Sequence, residues 1–216
     1  MSVAVNLLER LHWLGHASFR LDGPPTIYFD PWKLKGRPPR ADVILISHEH
    51  MDHCSPEDVK RISKPGTVIV ANPGAAEKLG GDARSLRPGE RTTVGEVEIK
   101  AVPAYNASRF RSPGLPFHPQ EAEHVGYVVT VAGERVYFAG DTDRIPEMAD
   151  IACDVALLPV GGTFTMDAEE AAQAAADIGP KVALPMHWGG GVVGSRADAE
   201  RFCDLYDGEA VILEAE

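Results

Sequence analysis

One short segment constrains this chain more than any other, a strand pattern that runs directly into a cluster of histidines and carboxylates. Residues 43–46 read Val-Ile-Leu-Ile, a continuous aliphatic run that predicts a buried β-strand. Four potential metal ligands follow closely, namely His48, His50, Asp52 and His53. Imidazole nitrogens and carboxylate oxygens suit zinc, manganese or iron, and a loop at a strand end can direct them to two sides. The segment therefore favours one or two divalent metal ions over a solvated polar loop.

Strand patterns and helix patterns alternate along the rest of the chain. Strands are predicted over residues 11–14, 18–21, 26–30, 68–71, 98–102, 125–131, 135–139, 155–160, 182–186 and 210–213. Helices are predicted after Ser55 and Pro56 and over residues 75–79, 167–178 (with Asp167 and Glu170 as a capping box) and 197–205. A long loop with four prolines spans residues 103–123. We therefore expect a single domain over residues 1–216, of α/β class, with two packed β-sheets flanked by helices.

Net charge and cysteine content indicate which partners and which redox environment suit this chain. With 216 residues, 44% of them hydrophobic, the chain can bury one substantial core. A net charge of -11 argues against binding along a nucleic acid backbone. The three cysteines show no Cys-x-x-Cys spacing, which favours a reducing, cytoplasmic setting over a disulfide framework. We expect neither a leader at residues 1–10 nor an apolar run near the ~18 residues of a membrane span.

Two more candidate ligands stand at strand ends beside glycines. Asp141 follows Gly140 after the strand at 135–139, and His187 follows the strand at 182–186. Loops at strand ends are common positions for functional side chains. Alone, such an aspartate is more often a turn residue and such a histidine a packed core residue. With the first cluster, both become candidate metal ligands.

Together these motifs resemble the metallo-β-lactamase superfamily over residues 12–188. The resemblance rests on His-x-His-x-Asp-His at 48–53, Gly-Asp-Thr at 140–142 and the histidine at 187. Segments similar to the small hydrolases related to L-ascorbate-6-phosphate lactonase are Trp-Leu-Gly-His at 13–16, Phe-Asp-Pro-Trp at 29–32, Gly-Gly-Thr-Phe-Thr-Met at 161–166 and Pro-Met-His at 185–187. The resemblance implies an αβ/βα sandwich with the metals at one edge, between the sheets.

The ligand set that the resemblance implies has one gap. It places a first metal at His48 and His50, a second at Asp52, His53 and His187, and Asp141 between the two. The family pattern has a further first-metal histidine after a strand between the motifs, but here residues 103–106 read Pro-Ala-Tyr-Asn. His118 in the long loop is the candidate replacement and His124 the second choice. Otherwise water or Asn106 completes the first subsite, or that subsite is weak or empty.

Other residues are candidates for contact with a substrate. The resemblance places His16 beside the metals, and Tyr105 and Asn106 can donate hydrogen bonds to a substrate oxygen; a structural role is the alternative for each. Basic side chains that can recognise a phosphate or carboxylate, or else form solvated loops, are Lys33, Lys35, Arg37, Arg40, Arg109 and Arg111.

These observations predict a metal-dependent hydrolase of an ester, lactone or phosphoester small molecule. We expect zinc, with manganese or iron as alternatives, and assign Asp52 both as a ligand and as the catalytic group that orients the attacking water. One alternative is a nuclease or phosphodiesterase on the same scaffold, which the acidic charge disfavours. Another is a binding protein that holds metal without catalysis, as the missing strand-end histidine would allow.

Overall fold

The computed structural model describes residues 3–216 and, in the first helix, side chains from Leu7 onward. Within that range the α-helices are α1 (Val3–Arg10), α2 (Pro56–Ile62), α3 (Pro73–Leu79), α4 (Ala168–Ile178) and α5 (Arg196–Leu205). The strands are β1 (Leu11–Gly15), β2 (Ser18–Leu21), β3 (Ile27–Phe29), β4 (Val43–Ile46), β5 (Val68–Ala71), β6 (Arg84–Ser85), β7 (Arg91–Val94), β8 (Val97–Pro103), β9 (Phe110–Ser112), β10 (Leu115–Pro116), β11 (Val125–Val131), β12 (Glu134–Phe138), β13 (Val155–Pro159) and β14 (Val182–Met186). Short 3-10 helices cover Gln120–Ala122 and Pro146–Asp150.

Two six-stranded sheets form the frame of the molecule. Their orders are β1-β2-β3-β4-β5-β6 and β7-β8-β11-β12-β13-β14, and β9 and β10 form a separate hairpin. Strands β3, β4 and β5 run parallel in the first sheet, as do β12, β13 and β14 in the second. Because parallel neighbours end at the same edge, the loops that follow these strands meet there.

Alternation along β4 explains why both faces of the first sheet are buried. Val43 and Leu45 belong to the apolar core between the sheets, whereas Ile44 and Ile46 pack with side chains of α2 and α3 on the outer face. Across the interior, the rings of Phe29 and Phe138 lie 5.4 Å apart. Helices α4 and α5 cover the other side of the second sheet at β13 and β14. The molecule is therefore an αβ/βα sandwich, as the sequence predicted.

Helix boundaries follow the predicted capping residues, with one difference. The Ser55 hydroxyl accepts the amide of Asp58 and so starts α2. The Asp167 carboxylate likewise accepts the amide of Glu170 at 2.9 Å and starts α4. Glu170 does not complete the predicted capping box, because its carboxylate accepts from Arg109 and from the backbone amide of Arg144 instead. Glu170 therefore connects α4 to the segments that contain Arg109 and Arg144.

The structure differs from the sequence prediction in several places. The long loop contains the β9–β10 hairpin, and α1, β6 and β7 were not predicted. The strand predicted over 210–213 is reduced to a single parallel bridge between Ala210 and Ala183. None of the helices described within residues 3–216 has the length and apolar character needed to cross a bilayer. Residues 1 and 2, part of the segment where no leader was expected, lie outside the described residues.

Candidate metal centre

The candidate ligands lie at one edge of the sandwich, where loops of both sheets meet. In the first sheet, the loop after β4 carries the 48–53 motif. In the second, Asp141 follows β12 and His187 follows β14, two strands that run parallel to β13 between them. The Ser47 carbonyl accepts the amide of Val125 at 3.1 Å, which joins the two sheets beside the motif. The topology therefore brings together residues far apart in the sequence.

A first group of donor atoms comes from His48, His50 and His118, three side chains that could hold one metal ion. Nε2 of His48 lies 3.0 Å from Nδ1 of His50, and Nε2 of His118 lies 3.3 Å from that same Nδ1. His48 and His118 are buried, and His50 is partly exposed. The His124 ring also lies near His48, at 4.8 Å between ring centroids, but the convergent donor atoms are those of His48, His50 and His118.

His118 reaches this position because the long loop folds back on itself. The amide of Asn106 donates to the carbonyl of His118 at 2.8 Å, which closes the base of the β9–β10 hairpin. Oδ1 of Asn106 then accepts from both the amide and Nδ1 of His118, each at 2.8 Å. With Nδ1 held in this way, Nε2 of His118 faces the other two histidines. Asn106 is thus a positioning residue for the first group.

The hairpin base is organised by Asp143, which the sequence analysis did not single out. Its carboxylate accepts the amides of Ala107 and Ser108 at 2.8 and 2.7 Å, and it is almost fully buried. It also pairs with Arg109 at 2.9 Å and accepts from the amide group of Asn106 at 2.8 Å. A carboxylate that binds several backbone amides resembles the anchor of a tight turn, a signal that the second aspartate of the 140–143 segment offered.

A second group consists of His16, Asp52, His53 and His187, whose donor atoms could also hold one ion. Nε2 of His16 lies 3.1 Å from Oδ2 of Asp52, and Nε2 of His53 lies 3.7 Å from the same oxygen. The family resemblance implied that His16 lies beside the metals as a substrate contact, whereas in the structure it is part of this donor group and only 1% exposed. Sequence alone gave no reason to count it among the ligands.

Asp141 lies between the two groups. Its Oδ2 is 3.4 Å from Nε2 of His118 and 3.2 Å from Nε2 of His187. Its Oδ1 is 3.2 Å from Nε2 of His53. A carboxylate with these neighbours can serve both groups at once, which is the bridging position that the family resemblance implies.

The chemistry of the donor atoms fits divalent metal. Several of them are buried, among them Nε2 of His53, Nε2 of His187 and Oδ1 of Asp141. Although each of these nitrogens lies 3.2 Å from an Asp141 oxygen, none of the three atoms makes a hydrogen bond of suitable geometry in the described part of the chain. Buried polar atoms are rarely left unpaired, so convergent atoms of this kind fit a bound metal ion. Burial lowers the pKa of His16 and of His118 to about 4 each, so both imidazoles are neutral at pH 7 and keep a lone pair for a metal.

Asp30 supports both groups from behind and was missed as a functional residue. Its Oδ2 accepts from Nδ1 of His53 at 2.7 Å, and its Oδ1 accepts the amide of Ser47 at 2.7 Å. The Ser47 hydroxyl also bonds to Asp30 and lies 2.9 Å from Nδ1 of His48. A buried carboxylate behind a histidine orients the ring and directs its other nitrogen toward a metal. The available signal was the aspartate directly after β3.

Backbone strain and close packing are concentrated at the same edge. His16, Asp30 and His187 all have positive φ angles, between 42° and 61°, which side chains other than glycine rarely adopt. A Cβ atom at Gly161 would lie 2.9 Å from Nδ1 of His187 and 2.7 Å from its carbonyl oxygen, so only glycine fits there. Strained backbone that the surrounding structure maintains is typical of functional sites.

Other candidates lie outside the donor groups. The hydroxyl of Tyr105 donates to Glu147, and Tyr105 does not line the cavity at the site. Asn106 has no free hydrogen-bonding position for a substrate, since its amide nitrogen donates to Asp143 and to the carbonyl of Phe164 while its oxygen accepts twice from His118. Both side chains thus bond to protein groups in this structure, and substrate contacts of Tyr105 and Asn106 stay a prediction.

His124, Cys54 and the basic residues of the segment 33–40 also lie outside the two donor groups. Nε2 of His124 lies 3.3 Å from a Glu49 carboxylate oxygen, behind the first group. Burial raises the pKa of the Cys54 thiol to about 11, which keeps it neutral. The basic residues of the segment 33–40 do not line the cavity.

Comparison with known proteins assigns the chain to a family. The sequence profile of the beta-lactamase superfamily domain matches residues 10–187. A UPF0173 metal-dependent hydrolase of Methanoculleus marisnigri is 38% identical over 184 residues, which cover 83% of this chain and 80% of the relative. The chain belongs to the UPF0173 metal-dependent hydrolases of the beta-lactamase superfamily. A second UPF0173 relative, from Thermoplasma acidophilum, is 34% identical over 210 residues, with 89% and 88% covered.

Structural comparison agrees with this assignment. A crystal structure from Parabacteroides distasonis, described as a metal-dependent hydrolase, matches with a TM-score of 0.84 at 34% identity and covers 95% of this chain and 93% of that one. The superfamily, the α/β sandwich and the enzyme class predicted from the sequence are therefore confirmed. UPF0173 membership makes the chain a metal-dependent hydrolase. The finer resemblance to the ascorbate-6-phosphate lactonase branch stays a prediction.

Proposed function

We propose that the chain hydrolyses a small-molecule ester, lactone or phosphoester with a water activated at a zinc centre. The observation that carries the proposal is the convergence of unpaired buried donor atoms beside an open cavity of about 270 Å³. Imidazole nitrogens with carboxylate oxygens form a donor set of borderline softness that suits zinc, and manganese or iron are the alternatives to be tested.

The ligand assignment follows the two donor groups. The first site comprises His48, His50 and His118, and the second comprises Asp52, His53 and His187, with Asp141 between them. His16 adds a fourth side chain to the second site. A bound divalent ion supplies Lewis acidity and lowers the pKa of bound water from ~15.7 to ~7.

Asp52 is the residue that we assign to proton handling. Its Oδ2 faces His16 and His53, whereas its Oδ1 makes no hydrogen bond within residues 3–216. Since Asp52 also lines the cavity, Oδ1 can accept a hydrogen bond from the attacking water and hold its proton. In ester hydrolysis the water oxygen then joins the acyl carbon, the acyl–oxygen bond breaks, and the proton passes to the departing alcohol.

The surrounding residues keep this geometry fixed. Asn106 holds the ring of His118, and Asp30 holds the ring of His53, so each imidazole presents Nε2 to the centre. Residues on loops are otherwise mobile, and catalysis needs positions held to a fraction of an ångström. Because each support is buried, it also excludes water from behind the ligands.

The test combines metal content with turnover. Purified protein is analysed for bound metal by mass spectrometry and assayed on p-nitrophenyl esters, lactones and bis-p-nitrophenyl phosphate before and after chelation and re-addition of Zn²⁺, Mn²⁺ or Fe²⁺. We expect His48→Ala and Asp141→Ala to lose both metal and activity, whereas the control Asp204→Ala, on the exposed face of α5, keeps both. Normal metal content and turnover in the His48 and Asp141 variants would overturn the proposal.

A further inference from the structure

The cavity at the metal centre has walls of a distinctive composition. Four of its lining residues are candidate ligands, and the other five are Met51, Arg111, Phe117, Phe164 and Val192. Thus every lining residue outside the ligand set is apolar except one, which is a cation. A wall of apolar side chains with a single cation is suited to a ligand that has both an apolar group and an anionic group.

Two of the four apolar side chains in the wall are exposed to solvent, and the other two are partly buried. Met51 is 74% exposed and Val192 is 39% exposed, while the rings of Phe117 and Phe164 meet edge to face at 4.8 Å. We call these four side chains the apolar rim. They come from the loops after β4, β13 and β14 and from the base of the β9–β10 hairpin. Exposed apolar side chains gathered around an opening mark a surface that binds apolar groups.

Few large apolar side chains are exposed elsewhere on the described part of the molecule. Among the described side chains, the large apolar ones that are exposed are Met51, Phe110, Leu115, Val192 and Leu205. Two of them belong to the rim and two to the hairpin, and only Leu205 lies on another element, α5. Two of these five side chains therefore line the mouth of the metal centre, and two more lie on the hairpin that carries Arg111.

Arg111 is the cation in this wall, and it differs from its neighbour Arg109. The guanidinium of Arg109 is fully engaged, since it pairs with Asp143 and Glu170 and donates to the carbonyl of Gly162. The guanidinium of Arg111 forms no ion pair or hydrogen bond within residues 3–216 and lies 5.8 Å above the ring of Phe117. In a chain with a net charge of -11, an arginine without a carboxylate partner at a cavity mouth is poised for an external anion.

The anion position and the metal centre are joined by one structural unit. Arg111 lies on β9, and His118 closes the same hairpin through its backbone bond with Asn106. Asp143 fixes the base of that hairpin by accepting backbone amides. A group bound by Arg111 is therefore held at a defined position relative to the first donor group.

We propose that the substrate is an amphiphilic ester or lactone, with a hydrocarbon group against the apolar rim and an anionic group paired with Arg111. The inference rests on the proposed function, since it specifies which class of ester reaches the metal centre. Arg111 acts as a specificity-determining residue that binds the anionic end of the substrate while the scissile bond lies at the metals.

A matched pair of substrates tests the role of Arg111 in turnover. Mono-p-nitrophenyl adipate and p-nitrophenyl hexanoate share a scissile bond and a hydrocarbon chain, but only the first has a terminal carboxylate. We expect wild-type protein to prefer the adipate about tenfold or more in kcat/KM. Arg111→Gln should bring that ratio to about one, and Arg111→Lys should restore part of it. The control Arg91→Gln, an exposed arginine on β7, should leave the ratio unchanged. A ratio that Arg111→Gln does not alter would overturn the inference.

A binding measurement separates this inference from the hydrolytic function. Calorimetry with octanesulfonate and with octanol, on metal-loaded and on metal-free protein, probes the anion position with a group that binds metals weakly. We expect Arg111→Gln to weaken octanesulfonate about tenfold in both forms, and Met51→Ser to weaken both probes, whereas the control Leu205→Ser changes neither. Equal sulfonate affinity in wild type and Arg111→Gln contradicts the inference even if hexanoate is hydrolysed. Arg111-dependent binding without turnover of any ester supports the anion position and overturns the proposed hydrolysis.

Discussion

Asp30 accepts a hydrogen bond from Nδ1 of His53 at 2.7 Å, and neither side chain is exposed to solvent. Through the Ser47 hydroxyl the same carboxylate also reaches Nδ1 of His48. One buried group thus orients a histidine in each of the two donor groups. Loss of such a supporting carboxylate typically lowers metal affinity by about 10- to 100-fold.

Replacing Asp30 should therefore weaken metal binding without removing a ligand. We expect Asp30→Asn to lower Zn²⁺ affinity by about 10- to 100-fold, because the amide no longer holds the ring nitrogens of His53 and His48 in place. Competition with a fluorescent chelator measures the effect. Asp42→Asn serves as the control, because Asp42 is a half-buried carboxylate directly before β4 that bonds to Thr26 and Lys64. Unchanged affinity in a folded Asp30→Asn protein would show that the carboxylate has no such role.

His118 and His124 compete for the role of the third histidine in the first group. The structure favours His118, with Nε2 at 3.3 Å from Nδ1 of His50, while His124 contacts Glu49. His118→Gln should lose about one equivalent of metal or bind it more than about tenfold more weakly, and His124→Gln should keep wild-type stoichiometry. Metal titration with circular dichroism as the folding check compares the two. The opposite ranking would assign the role to His124.

The hairpin that carries His118 should loosen when Asp143 is altered. Its carboxylate binds the amides of Ala107 and Ser108, and a buried donor left unpaired costs about 1–3 kcal/mol. Asp143→Asn should therefore lower the free energy of unfolding by about 2 kcal/mol and speed amide exchange at these two residues. Asp150→Asn, at an exposed 3-10 helix position, should do neither. Unchanged exchange at 107 and 108 would contradict the anchoring role.

Asp154 should make the stability of the sandwich depend on pH. Burial alone would raise the pKa of this carboxyl, but Lys181 at 2.8 Å and the amide of Arg135 at 2.7 Å lower it below the usual range. A carboxyl with a lowered folded-state pKa stabilises the fold above its unfolded pKa of about 3.9 and loses this contribution as pH falls through the lower folded value. Asp154→Asn should cost about 1 kcal/mol at pH 7, and the gap to wild type should close below about pH 4. Urea unfolding across that range measures it, and a gap that widens on acidification would refute the assignment.

Much of this fold could be predicted because its central strands are continuous apolar runs. The observed bounds of β4, β11 and β14 agree with the prediction. Strands β4 and β14 are buried on both faces and leave a continuous apolar pattern, and β11 is apolar along most of its length although one face is partly exposed. Strand β7 was missed because its Arg-Thr-Thr-Val sequence is partly exposed and short. The prediction of a strand over 210–213 was wrong except for one bridge, at Ala210. An apolar run does not reveal whether a neighbouring strand has a free edge with which to pair.

The candidate site was predictable to the extent that its residues share a local motif. Four ligand candidates stand together in residues 48–53, and Asp141 and His187 follow recognisable strands. His118 was only one of two candidates, because its position depends on a hairpin closed by Asn106 and Asp143, a tertiary arrangement with no periodic signal. The sequence likewise placed Arg109 and Arg111 in one class, whereas only their partners in the folded chain separate them.

Anomalous X-ray scattering from crystals of the purified protein shows whether these side chains bind metal at this edge of the sandwich. Data collected just above the zinc absorption edge should give anomalous peaks among His48, His50 and His118 and among Asp52, His53 and His187. These peaks should become much weaker in data collected just below the edge. Re-addition of Mn²⁺ or Fe²⁺ with data at their own edges identifies which metal the site prefers. Metal peaks only elsewhere in the molecule, or none at these side chains in active, metal-loaded protein, would contradict a metal centre formed by the two donor groups.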